Sequence, residues 1–156
     1  MAFVTHKDRV ETMAQKLAQL STAAISRLNA TFDEVYSLAS SRMEEKLGSS
    51  GYGDYVALFD IADYSRDDEY FELAGGQRKL RMLETAEAYY LLYYFVLALR
   101  ELQDKSVLLE VKEFGEGALK PSEIDNLLKM RDEYLAMGDG LCSKYGYSGG
   151  INMESV

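Results

Sequence analysis

The chain has 156 residues, 47% of them apolar and 28% charged, the size and make-up of one ordinary globular domain able to bury a core. Its formal net charge of −9, from 17 Lys+Arg against 26 Asp+Glu, argues against a protein that coats nucleic acid, since such proteins need a basic face to release counterions. A surface that DNA merely slides past remains compatible with that charge.

The first residues, "MAFVTHKDRVETMAQ", show no apolar run after their charges and so do not read as a secretory signal. From about Lys7 to Leu28 the positions Val10, Met13, Leu17, Leu20, Ala24 and Leu28 keep the three-and-four spacing of one helix face. Thr31 and Glu34 have the spacing of a capping box, which predicts the start of a second helix with the stripe Phe32, Val35, Ala39, Met43 and Leu47. "GSSGYG", Gly48 to Gly53, predicts a stop and a flexible loop. A short helix carrying Val56, Phe59 and Ile61 or Ala62 is expected next, then a turn closed by Gly75-Gly76.

A long helix follows from about Gln77 to Asp104, spanning roughly 40 Å and hence the width of a small domain. Within it, Ala88 to Leu99 has no charge and four tyrosines. A membrane span needs roughly 18 or more apolar residues, so this run is too short, and its hydroxyls would lack partners in hydrocarbon. It therefore reads as a helix enclosed by protein. A helix in a small bundle buries a stripe and not its whole circumference. Tyr89, Tyr90, Tyr93 and Tyr94 cannot all point inward beside Leu91, Leu92, Phe95 and Val96, which predicts that part of this surface meets another chain.

Val107, Leu109 and Val111 then alternate with Leu108, Glu110 and Lys112, followed by Gly115-Glu116-Gly117. This two-residue period predicts a short hairpin or extended arm over 107–120, with Phe114 at its turn, and such a unit is marginal without support from the body or a neighbour. Pro121 and Ser122 open a last helix whose apolar side is Ile124, Leu127, Leu128, Tyr134, Leu135 and Leu141, weakened near its end by Gly138 and Gly140. The tail over 145–156 is glycine-rich, with Tyr145, Tyr147, Ile151, Met153 and Val156 as its anchors. The expected fold is all-α over residues 1–156 as a single domain: a helical bundle around the long helix, with an extended arm and a flexible tail.

Few residues point to chemistry. His6 is the one histidine and reads as a solvated side chain or helix cap near the N-terminus. A Ser-His or Cys-His nucleophile would have to use it, and nothing in the sequence places it near Cys142, the one cysteine. One cysteine permits no internal disulfide. There are too few good ligands for zinc, no Glu-x-x-His for a di-iron bundle, and no phosphate loop. The acidic run Asp60, Asp63, Asp67, Asp68 and Glu69 lacks the ligand alternation of a calcium loop and reads as a solvated edge. No enzyme, no cofactor and no metal site are expected.

The order in the second half, "AEAYYLLYYFVLALREL", then "SVLLEVKEFGEGALKPSEI", then "EIDNLLKMRDEYLAMGDGL", then a loose tail, resembles the head–tail connector, or neck adaptor, proteins of tailed bacteriophages. The resemblance implies a mainly α-helical virion subunit that forms a homo-oligomeric ring, commonly of twelve copies, beneath a portal protein. DNA would pass through the ring without sequence-specific binding, and a downstream neck or tail protein would dock below it. It implies contacts between copies through the arm, with Val107, Leu109, Val111 and Phe114, while the tyrosine-rich central helix and the acidic segment over 60–72 depart from the family's pattern. It also implies that Tyr145, Tyr147, Ile151, Met153 and Val156 of the tail dock on the portal. The chain would pass through the host cytoplasm during assembly, with no membrane stage. The rival reading is a small oligomeric helical binding module or regulator.

Overall fold

The computed structural model of the chain describes residues 6–62, 76–105 and 121–146, with side chains placed over 6–57, 79–99 and 122–144. The fold is all-α, with helices α1 His6–Ala18, α2 Thr22–Ala62, α3 Gly76–Lys105 and α4 Pro121–Leu141, the last running into a π-helical turn Cys142–Gly146. Among the described residues there is no strand. The predicted arm over 107–120, with Val107, Leu109, Val111 and Phe114, lies outside the described residues. So do Tyr147, Ile151, Met153 and Val156 and the side chain of Tyr145.

The first break comes earlier than the expected boundary near Leu28. Gln19 takes a left-handed backbone, φ 51°. Its N–H donates to the Lys16 carbonyl at 3.3 Å, and the Leu20 N–H donates to the Gln15 carbonyl at 3.1 Å. This crossed pair is a Schellman cap, with glutamine where glycine is usual. Ser21 caps the next helix, its Oγ accepting from the Ala24 N–H at 3.2 Å. Thr31 is therefore interior, and its hydroxyl donates back to the Arg27 carbonyl at 3.1 Å instead of capping a new start.

The expected loop over 48–53 is also corrected. Only Gly48 leaves the helical conformation, at φ 77° and ψ 165°, a region open essentially to glycine alone. The chain is helical again from residue 49 to Ala62. Ser40 and Tyr55 would lie about 22 Å apart on a straight helix, yet both bond the same carboxylate, that of Glu87. The kink at Gly48 therefore turns α2 back toward its own first half.

Helix α3 packs against α1, α2 and α4, whereas α1 and α2 touch each other little. Its uncharged run supplies Ala88, Tyr90, Leu91, Leu92, Phe95, Val96 and Leu99 to the core. Val10 and Ala14 of α1, Leu28, Val35, Ala39 and Met43 of α2, and Leu127 and Tyr134 of α4 close over it. Gly138 brings α4 close, because a Cβ there would lie 2.6 Å from Cε1 of Tyr90. That glycine is a packing requirement and not only a weak point in the helix.

Candidate functional site

Glu84 and Glu87 are three residues apart on α3 and so share one face. Both are buried, at 1% and 0% exposure, amid Leu80, Leu83 and Leu91. Buried carboxylates need partners, since an unpaired charge in the interior is severely destabilising. Helix α1 supplies two of them, again three residues apart. Arg9 grips Glu84 with two parallel bonds, Nε to Oε2 at 2.8 Å and Nη2 to Oε1 at 2.6 Å. His6 donates from Nε2 to Glu87 Oε1 at 2.9 Å, and its Nδ1 lies 3.7 Å from Glu84 Oε2.

Helix α2 supplies hydroxyls from both sides of its kink. Tyr55 donates to Glu87 Oε1 at 2.5 Å, and Ser40 donates to Glu87 Oε2 at 2.9 Å. Burial alone would lower the His6 pKa, but the carboxylates of Glu84 and Glu87 overcome it and raise it to about 9. His6 is thus an imidazolium at neutral pH. Burial likewise opposes ionisation of Glu84, and His6 and Arg9 outweigh it, so its carboxyl lies below the usual range. Tyr55, fully buried against Glu87, is held well above the ordinary phenol value. The cluster holds two cations against two carboxylates, and its tyrosine hydroxyl stays protonated.

A second cluster joins α2, α3 and α4. The Tyr90 hydroxyl donates to Asp139 Oδ1 at 2.5 Å. Arg42 Nη2 reaches both oxygens of Asp139, at 3.2 and 3.0 Å, and its guanidinium lies 5.8 Å over the Tyr90 ring. Cys142 sits beneath, 3.6 Å from the Tyr90 hydroxyl. Burial pushes its thiol up to about 11, so it holds no appreciable thiolate at neutral pH.

A surface groove of about 390 Å³ opens beside the first cluster. Asp33, Tyr36, Ser40 and Glu44 line it from α2 at helical spacing, Tyr52 walls it from beyond the kink, and Lys7 borders it from α1. Ser40 is the link inward, since its hydroxyl proton is directed at Glu87.

The four tyrosines expected at an interface divide. Tyr90 is fully enclosed and has no surface to offer a second chain, so that expectation is corrected for it. Tyr89 stacks on Tyr134, and Tyr93 meets Tyr94 edge to face; all three are half-buried. His6 is not a solvated cap. Sequence reasoning also missed Arg9, Glu84, Glu87, Arg42 and Asp139, whose hydrogen-bond partners on other helices lie 32 to 97 positions away. The usable signal was two glutamates in the approach to an uncharged helical run, facing an i, i+3 pair of basic residues.

Among the described residues no group of three or more His, Cys, Asp or Glu is arranged to hold a metal ion. Among the same residues no helix is long and apolar enough to cross a membrane. No family model, curated protein or solved structure matches this chain.

Proposed function

We propose that the chain is a structural subunit without enzymatic activity that assembles with copies of itself. The observation that carries this reading is the state of His6. The one side chain type suited to general-base work at neutral pH is here a protonated partner of two buried carboxylates. Tyr55, Tyr90 and Cys142 are likewise engaged inside the fold with their protons retained.

The kind of assembly follows from the resemblance to head–tail connectors: a helical body around α3, a ring of about a dozen copies beneath a portal, and a passage for DNA. The net charge of −9 suits a wall that DNA passes without adhering. In this reading the protein is a virion component, and the arm and tail engage neighbours, portal and downstream tail protein.

Half-buried Tyr93 and Tyr94 are the surface of α3 offered to a neighbour. The double variant Tyr93→Ala/Tyr94→Ala should keep its helical signal and lose higher assembly in sedimentation. Undiminished assembly in that variant would overturn the interface assignment. The rival reading, a helical binding module, draws on the groove beside Glu87 and predicts a small oligomer in place of a ring.

A further inference from the structure

The junction between α1 and α2 runs against its own sequence. Residues 6–47 contain neither glycine nor proline, and Val10, Met13, Leu17, Leu20, Ala24 and Leu28 keep one helical register straight through it. The local preference is therefore a single helix. The chain instead turns back at Gln19, an exposed residue held at φ 51°, where glycine is usual. A short hinge under strain invites exchange of the segment it carries.

Straightening the hinge preserves its backbone bonds. In the closed turn the Gln19 N–H donates to the Lys16 carbonyl and the Leu20 N–H to the Gln15 carbonyl. In a continuous helix the same two donors take the same two carbonyls uncrossed, each four residues back. The Ser21 N–H would leave its exposed 3.3 Å contact with Glu123 Oε2 for the carbonyl of Leu17.

Reach decides where α1 then goes. In the closed chain the His6 and Tyr36 ring centroids are 6.4 Å apart. On one straight helix positions 6 and 36 would be about 45 Å apart, which carries α1 away from its own α3. The vacated seat holds Glu84 and Glu87, at 1% and 0% exposure, and carboxylates so buried require cations. A fitting occupant has two cations three residues apart with small apolar residues beside them. That is the pattern of His6, Arg9, Val10 and Ala14 on α1. Because α1 touches α2 little, nearly all of its seat is offered by the α3 of any copy.

We propose that α1 passes between copies: the hinge at residues 19–21 straightens, α1 and α2 join into one helix, and the α1 of one copy docks on the α3 of a second. Arg9 then grips Glu84 of the receiving copy and His6 its Glu87, while Ser40 and Tyr55 of that copy keep their bonds to Glu87. Exchange of a segment is a low-cost route to assembly, because every contact it makes already exists in the single chain. It rests on the self-assembly proposed above and names the segment that joins the copies.

Two hinge variants and a cross-link test it on the full chain. Thr22 is the first residue of α2 and exposed. Proline is welcome at that position of the closed turn and breaks a continuous helix. Thr22→Pro should keep the helical signal and weaken assembly about a hundredfold, the factor for proline inside a helix. Gln19→Gly relieves the left-handed strain and disfavours the straight helix, so it should melt no lower than wild type yet assemble about tenfold more weakly. For the cross-link, a diazirine amino acid replaces Met13, which packs against the core. Chains labelled with nitrogen-14 and nitrogen-15 are unfolded, mixed and refolded, then irradiated. Mass spectrometry should find mixed-isotope pairs joining α1 to α3 in the assembled particles. Assembled particles whose α1–α3 cross-links all lie within one chain would overturn the exchange and leave self-assembly standing. Assembly of Thr22→Pro equal to wild type would do the same. A wild type that stays monomeric at every concentration would overturn both.

Discussion

Gly138 lies flat against the ring of Tyr90: a Cβ at position 138 would be 2.6 Å from Cε1 and 2.8 Å from Cδ1. The ring cannot easily yield, because Tyr90 is fully buried and its hydroxyl is tied to Asp139. Gly138→Ala should therefore destabilise the protein by about 1–3 kcal/mol, the usual range for overpacking. Two residues on, a Cβ at Gly140 meets nothing within 4 Å. Gly140→Ala should instead stabilise by about 0.5–1 kcal/mol through helix propensity. Denaturant melts of the two variants should move in opposite directions.

The two irregular backbone positions predict another opposed pair. At Gly48, φ 77° and ψ 165° are unsuited to a residue with a Cβ, although a Cβ would find open space. Gly48→Ala should cost about 1–3 kcal/mol purely as backbone strain. Gln19 is a non-glycine in the left-handed region of the cap between α1 and α2. Gln19→Gly should raise stability by a few tenths to about 1 kcal/mol, the left-handed penalty less the added chain entropy. Equal loss in both would mean that the cap at Gln19 is not the strained element.

The long helix was legible because a run without charge flanked by Glu87 and Arg100 has few other solutions. Its expected span, Gln77 to Asp104, differs from Gly76–Lys105 by one residue at each end. The break at Gln19 was not legible, since neither glycine nor proline marks it and the left-handed turn is held by backbone bonds to the Gln15 and Lys16 carbonyls. Thr31 and Glu34 matched a capping box, but Ser21 had already opened the helix. Glycines 51 and 53 read as loop residues and are helical, leaving Gly48 alone to make the turn. The His6–Glu87 contact joins positions 81 apart, and no local pattern announces it.

The buried cluster sets a pH dependence. His6 has a folded pKa raised from 6.5 to about 9 by Glu84 and Glu87, against the opposing effect of burial. Its stabilising contribution is full below pH 6.5 and is lost as pH rises through about 9. The free energy of unfolding should fall across that window by on the order of 2–3 kcal/mol, allowing for the side chain's partial exposure. His6→Gln should flatten this slope. Glu84 acts in the other direction: its lowered pKa contributes stability above the ordinary carboxyl value of 4.5, which is lost as pH falls below it. A stability curve rising from pH 6.5 to 9 in the wild type would contradict the assigned His6–Glu87 pairing.

Arg9 and Glu84 form the firmest link between α1 and the body. Arg9→Met removes one partner and leaves the other charge buried, so it should cost about 3 kcal/mol. Because α1 touches α2 little, its detachment should be local. Hydrogen exchange over residues 6–18 should accelerate in this variant well before exchange in α3. Uniform acceleration across both helices would show that α1 and α3 open as one unit.

The proposed structural role requires that the chain be held by copies of itself. Native mass spectrometry of the purified full chain, across a concentration series, counts the copies directly. Closed particles at a defined multiple of 17.6 kDa, on the order of a dozen, are expected, dispersing to monomers in the Tyr93→Ala/Tyr94→Ala variant. A single species of 17.6 kDa at every concentration would contradict it.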